Sequence, residues 1–106
     1  MPEGFVRIGT IDEPKPGEMK LVEIGEKRIL LVNVGGCFYA VDEKCTHAKG
    51  PLSEGELEGE EVECILHGSR FNVTTGEYIE GPAADSLSRY PMCIEGQDVL
   101  VSPAQD

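Results

Sequence analysis

Thirteen glycines and seven prolines punctuate this chain along its whole length, so its apolar residues come only in short runs. No apolar spacing of 3.6 residues persists for three turns, which excludes a helical bundle and leaves at most a short helical turn in a loop. The runs are rich in Val, Ile and Leu, which fit a pleated surface, and strands are predicted over 5–8, 19–24, 28–34, 37–41, 62–65, 70–73, 87–94 and 99–101. Gly35-Gly36 separates Ile29-Leu30-Leu31-Val32-Asn33-Val34 from Cys37-Phe38-Tyr39-Ala40-Val41, and two glycines supply the positive φ that a two-residue hairpin turn demands. Further turns are read at Thr75-Gly76 and Gly96-Gln97, and a frayed tail from Ser102. The expected fold is all-β, an antiparallel sandwich or barrel. With 106 residues it is expected to form one domain over 1–106.

Twenty acidic residues against nine basic ones give a net charge of −11. A phosphate-binding face needs clustered Lys and Arg, so no nucleic-acid partner is expected. A basic protein partner is the natural match, drawn in by an attraction that salt weakens, although acidity alone also keeps a protein in solution. No run approaches the roughly 20 apolar residues of a membrane span. Residues 1–17 show neither the basic start nor the apolar run of a signal peptide, so no membrane association and a cytoplasmic location are expected. In that reducing compartment four Cys read as metal ligands or core residues rather than as a disulfide framework.

Spacing separates those choices. Cys45-Thr46-His47 and, after sixteen intervening residues, Cys64-Ile65-Leu66-His67-Gly68 each offer one thiolate and one imidazole, and the chain has no other His. Each segment follows a predicted strand and runs into Gly or Pro, as a ligand-bearing loop at a strand end would. Structural zinc sites commonly pair Cys with Cys and His with His, whereas both pairs here are mixed. A metal-free reading makes the thiols core residues and the imidazoles surface groups; against it, both His stand near glycine-rich loop segments rather than on an alternating core face.

These residues resemble the Rieske family, and in detail the small Rieske ferredoxins of bacterial ring-hydroxylating dioxygenases. The resemblance spans nearly the whole chain, including CTHAKGPLSEG, CILHGSRFNVTTGEYIEGPA and the strand-rich flanks. It implies a [2Fe–2S] cluster of Rieske type, one per chain, with Cys45 and Cys64 on a buried iron, His47 and His67 on an outer iron, and Gly81-Pro82-Ala83 as a cover. The cluster-binding part would span about 43–84. Two thiolates and two neutral imidazoles leave the oxidised site neutral, whereas four thiolates would leave it negative, so the mixed set raises the potential and directs the electron to the His-bound iron.

Departures from the respiratory branch are informative. Gly50 and Leu66 stand where that branch carries two bridging Cys, and Phe71 stands where a Tyr hydroxyl would reach a ligand sulfur. Ser69 keeps a hydroxyl that can donate to a cluster sulfide. With one such bond at most, the potential is expected toward the lower part of the Rieske range of about −150 to +300 mV. A bound cation lowers the pKa of the imidazole's remaining N–H, so the potential is predicted to fall as pH rises into the alkaline range; a redox titration flat in pH would contradict His ligation.

Among other residues, Cys37 and Cys93 are expected to be buried, inert and unbridged. Glu54, Glu56, Glu58, Glu60, Glu61 and Glu63 form a solvated or docking face between the ligand loops. Lys49 borders that face or is simply exposed, and Leu66 gives an apolar patch beside His67 or ordinary loop packing. The resemblance implies a monomeric electron carrier, not an enzyme, passing one electron from an NAD(P)H-dependent ferredoxin reductase to a terminal oxygenase that acts on an aromatic compound. The chain has no further His for a mononuclear oxygen-activating iron, and no nucleophile and base pair. The rival readings are a cluster-free small subunit of a nitrite reductase, which retention of all four ligands opposes, and a Rieske ferredoxin serving another oxidase or a monooxygenase.

Overall fold

Ile29-Leu30-Leu31-Val32 is an unbroken apolar run rather than an alternating one, the pattern of a strand covered on both faces, and that strand is the centre of the molecule. The structure, a computed structural model, describes residues 4–44, 51–65, 68–81 and 85–102. The strands are β1 (Val6–Thr10), β2 (Met19–Ile24), β3 (Lys27–Val34), β4 (Cys37–Asp42), β5 (Glu56–Glu58), β6 (Glu61–Glu63), β7 (Arg70–Asn72), β8 (Tyr78–Glu80), β9 (Met92–Glu95) and β10 (Asp98–Val101). They form three antiparallel sheets, ordered β1-β10-β9, β2-β3-β4 and β5-β6-β7-β8.

The middle sheet joins the other two. Leu30 and Val32 of β3, with Val41 of β4, share an apolar cluster with Leu52, Val62, Cys64, Phe71, Val73 and Leu87 on the side of β5–β8. Ile29 and Leu31 pack the other way, with Val22, Ala40, Tyr90, Val99 and Val101. Each fully buried Leu or Ile stabilises this arrangement by ~1.5–3 kcal/mol relative to exposure. The β3–β4 hairpin turns at Gly35 and Gly36, with φ of 59° and 100°, and the buried Asn33 side chain accepts a hydrogen bond from the Gly36 N–H at 2.8 Å.

Three expectations are corrected. Residues 87–94 are not one strand: β9 begins at Met92, and the preceding segment runs beside β4, where the Asp42 N–H donates to Ser88 and the Tyr90 N–H donates to Ala40. Pro91 has no N–H to continue a ladder there. The sequence reading missed β5 and β8, three-residue strands whose Glu content hides them. Cys37 is exposed and Cys93 only half-buried, because Cys37 starts β4 just beyond the hairpin turn and Cys93 lies on an edge strand; neither forms a disulfide. Among the described residues one 3₁₀ turn, Leu52–Glu54, occupies a loop as anticipated.

Candidate metal centre

Each predicted ligand loop leaves and re-enters the fold at a closed base. Lys44 and Pro51 form an antiparallel bridge, and the Leu52 N–H donates to the Glu43 carbonyl at 2.8 Å, so the chain on either side of 45–50 is held together. Glu43 reinforces this closure. Its carboxylate is 2% exposed and accepts from the Ser53 N–H at 2.9 Å and from the Ser53 hydroxyl at 2.6 Å. A buried carboxylate left short of a charge-assisted hydrogen bond costs about 2 kcal/mol. Ser53→Ala is therefore expected to lower stability by that amount in urea unfolding, and an unchanged midpoint would show that the staple contributes nothing.

The second loop closes more tightly. The Cys64 N–H donates to the Ser69 carbonyl at 2.8 Å, and the Gly68 N–H donates back to the Cys64 carbonyl at 3.1 Å. Cys64 is 1% exposed at the end of β6, and Ser69 is fully buried before β7. Gly81, at φ 105°, ends β8 pressed against this hairpin: a Cβ there would lie 2.5 Å from the Ser69 Cα. The Tyr78 hydroxyl donates to the Gly81 carbonyl and fixes the same approach. Leu52 of the first loop's base and Cys64 of the second belong to one apolar cluster, so the two bases are packed together.

Of the predicted site residues, Cys64 and Ser69 are therefore neighbours in one hairpin. Cys45, His47, His67 and Pro82 lie outside the described residues, as do Lys49, Gly50, Leu66 and Ala83. The described surroundings fit an iron–sulfur cluster: a buried thiol and an enclosed hydroxyl sit at a strand end, next to two loops whose sequence supplies another thiol and two imidazoles. Phe71 is buried in the core, edge-on to Tyr78 at 6.3 Å between ring centroids, so no hydroxyl comes from that position.

The glutamates around the hairpin are ordered by strand pairing. Glu56 faces Glu63 and Glu58 faces Glu61 across β5 and β6, while Leu57 and Val62 turn to the core. Like charges directly opposite each other oppose pairing. Arg70 on β7 offsets them, lying 3.0 Å from Glu63, 3.4 Å from Glu61, 3.5 Å from Glu80 and 3.8 Å from Glu58. Sequence reasoning missed both Arg70 and the Glu43–Ser53 staple. Arg70 carried a visible signal as a lone cation after a run of glutamates, but Glu43 and Ser53 meet only because the first loop closes.

Comparison with known proteins agrees with this geometry. Residues 4–91 match the family model for the Rieske [2Fe-2S] domain. The chain is 48% identical over 97 residues to the ferredoxin component of biphenyl 2,3-dioxygenase from Rhodococcus jostii (strain RHA1), covering 92% of this chain and 91% of that one. In structure it matches, with a TM-score of 0.92 and 29% identity, a chain from a complex of reduced oxygenase and oxidized ferredoxin in carbazole 1,9a-dioxygenase, covering 99% of this chain and 98% of that chain. A putative nitrite reductase small subunit matches at a TM-score of 0.77 and 22% identity, covering 92% of this chain and 96% of that one. That likeness shows the fold alone. With the family model spanning most of its length and a relative nearly half identical, this chain belongs to the Rieske [2Fe–2S] domain family, as an electron-transferring ferredoxin component with a Rieske-type [2Fe–2S] cluster rather than a catalytic subunit.

Proposed function

We propose that this chain accepts one electron from an NAD(P)H-dependent ferredoxin reductase and delivers it to a terminal ring-hydroxylating oxygenase, working as a cytoplasmic monomer and a single domain over 1–106. Cys45 and Cys64 would hold the inner iron, His47 and His67 the outer one, within a cluster-binding part of about 43–84. When bound, the cluster supplies a store for one electron. The chain's own residues do the rest. The Cys64–Ser69 hydrogen bonds and the Glu43–Ser53 closure fix the bases of the ligand loops, Ser69 offers a hydroxyl, and Gly81, which precedes Pro82 in the sequence, packs against the hairpin.

The observation that carries this reading is the C-x-H and C-x-x-H-G pair on two loops whose bases are packed together. Glu56 and Glu58 are exposed on β5, an edge strand of the sheet that bears the second loop, and they suit a basic partner surface. The test is reconstitution: with purified reductase, oxygenase and an aromatic compound, hydroxylated product is expected only when this chain is added. Charge reversal at Glu56 and Glu58 is expected to slow delivery about tenfold at low salt and little at high salt. Product formation without the chain would contradict the carrier role, and rates unaffected at any ionic strength would contradict docking through β5.

A further inference from the structure

Arg70 touches every other strand of its sheet. From β7 it reaches Glu58 on β5, Glu61 and Glu63 on β6, and Glu80 on β8, with its side chain 23% exposed. The row of residues Glu56, Glu63, Arg70 and Glu80 crosses the sheet, and the next residue toward the loops on each strand is Gly55, Cys64, Ser69 and Gly81. Arg70 thus borders the ligand hairpin and the glycine pressed against it. Burial works against its charge, but attraction by Glu63 and Glu58 and hydrogen bonds to Glu61 and Glu63 hold its pKa above the ordinary arginine range. It remains cationic at any working pH.

Reduction adds one negative charge to the cluster, which carboxylates nearby oppose and a cation nearby favours. We infer that Arg70 is a positioning residue for the redox site, tying β7 to carboxylates of β5, β6 and β8 and supplying the positive charge that keeps the surrounding glutamates from depressing the potential. The inference rests on Cys64 and His67 being ligands. Lysine at this position keeps the charge but not the fork that reaches several carboxylates, whereas glutamine keeps a planar polar head without charge.

The test is a spectroelectrochemical titration of the cluster-loaded protein and of R70Q and R70K. At low ionic strength R70Q is expected to shift the one-electron equilibrium toward the oxidised form about threefold, or about 28 mV at 59 mV per tenfold change. R70K should stay near the parent protein, and the R70Q shift should shrink as salt is added. An unchanged R70Q potential, or equal shifts in both variants, would overturn the role of Arg70. Should R70Q fail to fold with its cluster, E80Q replaces it: removing one carboxylate from the same group is expected to shift the equilibrium toward the reduced form, and no shift would overturn the role. A colourless, iron-free parent protein would instead defeat the ligand assignment, while a coloured parent whose potential ignores these substitutions defeats Arg70 alone.

Discussion

Protein with Cys64→Ala is expected to emerge colourless and without iron, yet still folded as a β domain. Cys64 closes the second loop at 1% exposure, and a ligand set reduced to one thiolate cannot hold a buried iron in the arrangement the family uses. The loss to packing is small by comparison. Removing one sulfur from the cluster of Leu52, Val62 and Phe71 costs about 1 kcal/mol. The larger loss comes through linkage, because a group that binds only the folded state stabilises it. Melting should therefore drop well below that of the loaded parent and close to that of the parent stripped of iron. Visible absorption and iron content decide the matter; a variant that keeps both would remove Cys64 from the ligand set.

The second large effect concerns Gly81. Alanine there would have to adopt φ near 105° and place its Cβ 2.5 Å from the Ser69 Cα, a backbone atom that cannot swing aside. Conformational strain and the forced separation of β8 from the ligand hairpin together are expected to cost about 3 kcal/mol. Gly59 makes a suitable control. Its φ is 63°, but nothing lies within 4 Å of a Cβ built on it, so Gly59→Ala should cost only about 1 kcal/mol. Urea unfolding measures both. The Gly81 variant should also bleach faster in air, since residue 81 could no longer pack against Ser69 in the hairpin that bears Cys64. Equal costs at the two glycines would mean that the contact between Gly81 and Ser69 is unimportant.

Much of this fold is legible in the sequence. Strand β2 lies where its apolar run predicts, and β3 only begins one residue earlier than expected, because long runs rich in Val, Ile and Leu leave little choice of conformation. The double glycine at 35 and 36 announced its hairpin for the same local reason. β5 and β8 stayed hidden because Glu flanks their one or two strand-forming residues, whereas the equally short β6 and β7 run on into Cys64-Ile65 and Val73. The extended segment before β9 looked like strand because its residues have strand composition, although its pairing with β4 is confined to one bridge at Arg89 and two hydrogen bonds around it.

The site divides along similar lines. The types and spacing of the proposed ligands are local features of the sequence, and Cys64 and Ser69 do share one hairpin. What supports them is not local. Glu43 meets Ser53 only across a closed loop, Gly81 meets Ser69 only through sheet register, and Arg70 gathers carboxylates from three other strands. The exposure of Cys37 was misjudged because composition does not say how far a hairpin tip projects beyond the core.

Electron paramagnetic resonance of the dithionite-reduced protein probes the mixed sulfur and nitrogen ligation most directly. A rhombic signal whose average g value lies below that of all-cysteine clusters is the predicted result, since imidazole on one iron lowers it. A spectrum of the all-cysteine type, or a silent sample that contains no iron, would contradict the account.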